Sequence, residues 1–207
     1  MDRLSLLILA GGASSRMGQD KVWLVMAGEP LIERIARRVA TLASEVIIST
    51  NRPEAFAELL PRLPIAARTV TDRFPGSGPL AGLHAGLAVA SHDLVLALAT
   101  DMPFVNPALV RFLAEQAAAY DAVVPLMPVQ DADQPQPEPL HALYRRACLP
   151  AIEASLAAGR RRMVSFLSQV NVRYVVPEEM RPYDPAFRSF ANVNTPDEWA
   201  AAQEAGE

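Results

Sequence analysis

Short apolar runs rich in Val, Ile and Leu recur at residues 4–10, 45–50, 94–99 and 122–125, with almost no polar alternation inside them. Strands of that kind are buried on both faces, as in a parallel sheet covered by helices. The intervening stretches carry a helical period instead. Leu31, Ile35, Val39 and Leu42 fall on one helix face, and residues 79–90 and 107–119 read as two more helices, each with a proline at its first position. Strand, helix, strand in succession predicts an α/β chain with a doubly wound, three-layer α/β/α Rossmann-like fold around a mostly parallel sheet. The 207 residues can bury a sizeable core, and the expectation is a single domain over residues 1–207.

Charge narrows the classes of partner. The chain has 19 basic and 23 acidic residues and a net charge of −4, with the two signs interleaved. No basic stripe argues for nucleic acid and no polybasic tail for a membrane, so any anion site must be local. A single cysteine, Cys148, excludes an internal disulfide and a Cys-rich zinc site, and it reads as buried filler in a reducing, cytoplasmic protein. The apolar run at residues 4–10 follows Met1-Asp2-Arg3, which has no excess of basic side chains, so a first strand is a better reading than a signal peptide. No stretch approaches the roughly 18 apolar residues that span a bilayer.

The first run stops at Gly11 and Gly12, and a loop carrying Arg16, Asp20 and Lys21 follows. Glycines let backbone N–H groups approach a phosphate closely, and two cations can neutralise several phosphate oxygens. The spacing is not that of a P-loop, because no Gly-Lys-Ser/Thr occurs. In open α/β sheets ligands bind beyond the carboxyl ends of strands, where strand order reverses. The strand ends carry Gly11 and Gly12, then Asn51, then Asp72 after Thr69-Val70-Thr71, then Asp101 in Thr100-Asp101-Met102-Pro103. A carboxylate at such a tip, Asp101, can hold Mg²⁺, which takes oxygen ligands and lets a substrate's phosphates complete its shell.

Other motifs divide into those that point somewhere and those that do not. The stretch from Gly76 to Ala81 has the G-x-G-x-x-A spacing of a dinucleotide fingerprint, but Pro75 and Pro79 flank it and Asp72-Arg73-Phe74 separates it from the preceding strand. A nicotinamide site is therefore rejected. Arg160, Arg161 and Arg162 follow Gly159 after an amphipathic helix, a pattern that is usually a solvated face. His84, His92 and His141 lack metal-ligand spacing, and no serine, histidine and acid set suggests a covalent nucleophile. Residues 127–139, with four prolines and three acidic groups, read as a loop without a regular element, and residues 177–185 as a second polar loop. Thr195, with Pro196 and Glu198 behind it, can cap a last helix.

Taken together, Gly11-Gly12, Ser14, Ser15, Arg16, Met17, Gly18, Asp20 and Lys21 resemble the signature loop of the Rossmann-like nucleotidyltransferases, and the opening Leu9-Ala10-Gly11-Gly12 resembles the molybdenum cofactor guanylyltransferase (MobA) family. Gly78-Pro79-Leu80-Ala81-Gly82, Gly159-Arg160-Arg161-Arg162-Met163 and Asn192-Val193-Asn194-Thr195-Pro196 are similar to further segments of that family, so the resemblance runs from Leu9 to Trp199. It implies transfer of GMP from GTP to the terminal phosphate of molybdenum-loaded molybdopterin, with release of pyrophosphate. It implies Mg²⁺ on Asp101, Arg16 and Lys21 on the β- and γ-phosphates, and Leu9 to Gly12, Asn51, Asp72 and Gly78 to Gly82 around the nucleotide. Arg160, Arg161, Arg162, Asn192 and Asn194 fall on the pterin side, and molybdenum-insertion proteins and molybdoenzyme chaperones are the implied protein partners. Two alternatives stay open: a cytidylyltransferase of the same fold, and a nucleotide-binding regulatory module without turnover.

Overall fold

The computed structural model describes residues 3–11, 23, 25–26, 28–74, 76–128 and 134–193. In chain order its strands and α-helices are β1 (Leu4–Leu9), β2 (Val25–Met26), β3 (Glu29–Pro30), α1 (Leu31–Val39), β4 (Ala43–Ser49), β5 (Ala66–Val70), α2 (Pro79–Val89), β6 (Leu94–Ala99), α3 (Pro107–Glu115), β7 (Ala122–Met127), β8 (Gln136–Pro137), β9 (His141–Arg145), α4 (Leu149–Ala157), β10 (Val172–Val175) and α5 (Pro177–Met180). Among the described residues, eight strands form one sheet in the order β10, β7, β9, β6, β1, β4, β5, with β8 against β7. β1 is parallel to both β4 and β6, β4 to β5, and β7 to β10, while β9 runs antiparallel to β6 and β7.

Side chains alternate across this sheet into two cores. Leu6, Ile8, Val46, Ile48, Leu96 and Leu98 pack with α1 and α3 on one face. Leu7, Leu9, Ile47, Val95 and Ala97 pack with α2 and α4 on the other. A strand so covered reads as a continuous apolar run, which is why β1, β4 and β6 were evident in the sequence. The helix α2 lies close on the sheet. A Cβ on Gly82 would meet Ser49 Oγ at 2.8 Å, and one on Gly86 would fall inside the side chain of Leu7.

The structure corrects the sequence reading in several places. Residues 134–139 do hold a regular element, since Gln136 and Pro137 of β8 pair with Met127 and Leu126 of β7. Proline is tolerated there because, among the described residues, β8 pairs only with β7 and needs no second row of donors. Residues 177–180 form the one-turn helix α5, and the helix at residues 107–119 ends as α at Glu115 before a 3-10 turn, Gln116–Ala119. Cys148 is fully buried, and burial pushes its thiol up to about 12, so it is inert filler. The last helix expected after Thr195 lies outside the described residues.

Candidate active site

β4 and β5 follow β1 on one side of it, and the chain then crosses to β6 on the other, so strand order reverses between β1 and β6. The crevice that such a reversal opens lies beyond the carboxyl ends of β1 and β6. Main-chain bonds hold the loops that border it. The Ala10 amide donates to Ser49 O at 2.9 Å, the Thr50 amide to Val70 O at 2.9 Å, and the Ala99 amide to Leu140 O at 3.1 Å. Gly11 is exposed, and a Cβ there would meet nothing within 4 Å, so this backbone is open to an approaching ligand.

Around the rim, Asn51 is exposed and Asp72 half-buried. Asp72 Oδ1 accepts the Phe74 amide at 3.1 Å, which folds residues 72–74 into a tight turn. The Phe74 ring meets His84 edge-on at 5.2 Å, and His84 Nε2 pairs with Glu153 Oε1 at 2.9 Å, tying this turn to α2 and α4. Gly78, at φ +69°, turns the chain into α2, with Pro79 exposed at the first helical position. Leu80, Ala81 and Gly82 are buried against the sheet. The side chains of Leu80 and Ala81 pack the core, Gly82 serves the close approach of helix to strand, and Gly78 and Pro79 stand exposed at the rim.

Asp101 stands just past the end of β6, half-buried, and its carbonyl oxygen accepts the Val193 amide at 3.0 Å. Asn192, exposed, is therefore carried next to Asp101 from the face that holds α1 and α3. From the opposite face, α4 starts near the amino edge, where Cys148 Sγ donates to Asp121 O, and runs back toward the carboxyl edge. Exposed Arg160, Arg161 and Arg162 follow it, and Arg160 is tethered to Ser155 Oγ at 3.4 Å. Gly12, Arg16, Lys21 and Asn194 lie outside the described residues.

Glu138 escaped the sequence reading. The antiparallel β6/β9 ladder ends at Leu98 and His141, the Ala99 amide still reaches Leu140 O at 3.1 Å, and Glu138 lies close enough for the charge of Asp101 to act on it. Glu138 Oε1 accepts the Leu140 amide at 3.0 Å. Burial raises its pKa, the Leu140 amide opposes that, and the charge of Asp101 adds to the rise. Two neighbouring carboxylates offer hard oxygen donors, which suit Mg²⁺ better than a soft metal.

The sequence profile of the MobA-like NTP transferase domain matches residues 6–172. The chain belongs to this family. Its relatives agree over nearly their whole length. A protein of Pelotomaculum thermopropionicum named "Probable molybdenum cofactor guanylyltransferase" is 38% identical over 95% of this chain and 90% of its own. The molybdenum cofactor guanylyltransferase of Syntrophotalea carbinolica is 34% identical over 92% of this chain and 86% of its own. Among solved structures, molybdopterin-guanine dinucleotide biosynthesis protein A of Archaeoglobus fulgidus superposes with a TM-score of 0.79 at 28% identity, covering 98% of both chains. The 2-C-methyl-D-erythritol 4-phosphate cytidylyltransferase of Thermus thermophilus shares the fold at a TM-score of 0.71 with 20% identity over 99% of both chains. As a MobA-like NTP transferase the chain is a nucleotidyltransferase, and no helix among its described residues is long and apolar enough to cross a membrane.

Proposed function

We propose that this chain transfers GMP from GTP to the terminal phosphate of molybdenum-loaded molybdopterin, forming the guanine dinucleotide and pyrophosphate. The observation that carries the reading is Asp101 at the carboxyl end of β6, beside the strand-order reversal, in a chain whose full-length relatives bear that activity in their names. An oxygen of the acceptor phosphate attacks the α-phosphorus of GTP, the bond to the β-phosphate oxygen breaks, and pyrophosphate departs with the electron pair. A phosphate monoester is largely dianionic near neutral pH, its second pKa being about 6, so the attacking oxygen needs no general base.

The reaction needs charge neutralisation and alignment. Asp101 would hold Mg²⁺, whose positive charge stabilises the phosphate oxygens at the reacting centre. Arg16, able to chelate two oxygens, and the compact ammonium of Lys21 are assigned to the β- and γ-phosphates. Gly11 and Gly12 give the triphosphate room against the backbone, and Asn51 and Asp72 border the nucleoside. Arg160, Arg161 and Arg162, with Asn192 and Asn194, are assigned to the pterin phosphate and ring, whose donors and acceptors an amide can read. One domain in the cytoplasm, using GTP, molybdopterin and the proteins that deliver or receive the cofactor, completes the proposal.

Thermal unfolding with each of GTP, CTP, ATP and UTP plus Mg²⁺ tests it. At about 100 times its dissociation constant GTP adds about 2.7 kcal/mol of stability. The other nucleotides are expected to add far less. Equal stabilisation by CTP would replace guanylyl with cytidylyl transfer, and stabilisation by GTP without pyrophosphate release in the presence of acceptor would turn the chain into a binding module.

A further inference from the structure

Asp184 is only 5% exposed, yet it lies in the polar stretch after α5 rather than in the sheet. Its Oδ1 accepts the Arg188 amide at 3.0 Å and its Oδ2 the Ser189 amide at 2.8 Å, which caps the 3-10 turn Arg188–Phe190. Both residues it holds reach the loop after β6. Ser189 Oγ, fully buried, accepts the Asn106 amide at 3.1 Å, and Arg188 lies 4.8 Å over the Phe104 ring. From the same stretch Tyr183 O accepts Asn106 Nδ2 at 2.8 Å, and the Val193 amide donates to Asp101 O at 3.0 Å. Every one of these contacts ends within residues 101–106. On its inner side the turn meets His141, whose ring packs on Phe190 at 4.7 Å. Asp184, which accepts two of the turn's amides, is its polar anchor.

We propose that Asp184 is a positioning residue for the reaction: by capping residues 188–189 it fixes, through Ser189 to Asn106 and through Val193 to Asp101, the angle at which the Asp101 carboxylate meets its metal and nucleotide. This rests on the reading of Asp101 as the metal-holding group. A carboxylate accepting two backbone N–H groups makes charge-assisted bonds that a neutral amide cannot reproduce. Groups that orient a metal ligand in this way typically change metal affinity 10- to 100-fold when altered.

The test counts Mn²⁺ bound to the full chain in the presence of GTP, by the electron paramagnetic resonance signal of the free ion. Asp184→Asn is expected to weaken Mn²⁺ binding about tenfold. Ser189→Ala, which removes only the acceptor for the Asn106 amide, should weaken it less and still fold, so it decides the matter if Asp184→Asn does not fold. Glu45→Gln, at the far edge of the sheet, serves as the variant that lowers the melting temperature without touching this loop and should leave Mn²⁺ affinity unchanged. Wild-type Mn²⁺ affinity in both Asp184→Asn and Ser189→Ala, whatever their melting temperatures, would overturn the proposal. Asp101→Asn separates the two layers. If it weakens Mn²⁺ binding while the other two do not, only the role of Asp184 falls, and if it has no effect, the metal reading falls first.

Discussion

At the amino edge of the sheet, Glu45 accepts the Ser5 hydroxyl at 2.6 Å and the Ser91 amide at 2.6 Å, and it pairs with Arg68 at 2.8 Å. Nearby, Arg145 binds Asp93 and the carbonyls of Ala117 and Tyr120, while Asp121 Oδ2 accepts the Asn171 amide at 2.9 Å. The carboxyl edge is built differently. Its loops are joined by backbone bonds from Ala10, Thr50, Ala99 and Val193, and Gly11, Asn51 and Gly78 stand exposed. Ion pairs between side chains, Glu45 with Arg68 and Arg145 with Asp93, close one end of the sheet, whereas the other is joined by main-chain bonds and by carboxylates that accept backbone amides, Asp72 from Phe74 and Glu138 from Leu140.

Substitutions at the two ends should accordingly fail in different ways. Asp101→Asn keeps the shape and removes a charge, so turnover is expected to fall by at least about 10²-fold with little change in melting temperature. A loss of stability with turnover retained would break the contrast. Glu45→Ala should do the reverse. It strands the Ser91 amide and the buried Ser5 hydroxyl, and denaturant titration should show a loss of about 2 to 3 kcal/mol while the kinetics of the surviving fold stay normal.

His141 gives a third, pH-dependent effect between the two ends. Burial pushes its imidazole down to about 4, against the pull of Asp184. Unfolded, the same ring takes up a proton below about 6.5, so acidification favours the unfolded chain. Stability should be unaffected by this group above about pH 6.5 and should fall by about 2 kcal/mol by pH 5. His141→Leu should flatten that part of the pH–stability curve, and an unchanged slope would assign the acid sensitivity elsewhere. The smallest effect is expected from Arg161→Ala, with a loss of about 1 kcal/mol in molybdopterin binding and no change for GTP, read by calorimetric titration. A loss of GTP affinity instead would move these arginines to the nucleotide half of the crevice.

How much of this was legible depended on burial. β1, β4 and β6 were plain because both their faces are covered. β10 was not, since Val172, Arg173, Tyr174 and Val175 alternate as an edge strand does over too few residues to stand out. β9 was also missed, because His141, Tyr144 and Arg145 look polar and their partners come from two distant strands. That omission hid Glu138, which the turn into β9 brings near Asp101. Asp101 itself could be read directly, as an acid immediately after an apolar run. The assignment of Gly78 to Gly82 to the nucleotide came from resemblance, and the sequence did not reveal that Gly82 also admits the close approach of α2 to Ser49 and Leu9.

The reversed direction of β9 has one more consequence. Because β8 and β9 run back antiparallel to β7, the chain leaves the sheet after Met127 and returns to it at Gln136, directly opposite. Lengthening such a connection costs only the slow logarithmic growth of loop-closure entropy, about 0.6 kcal/mol per doubling. It leaves every strand pairing in register. The fold thus has, beside Asp101, a port where sequence can be inserted, deleted or exchanged without renegotiating the pairings that hold the chain together.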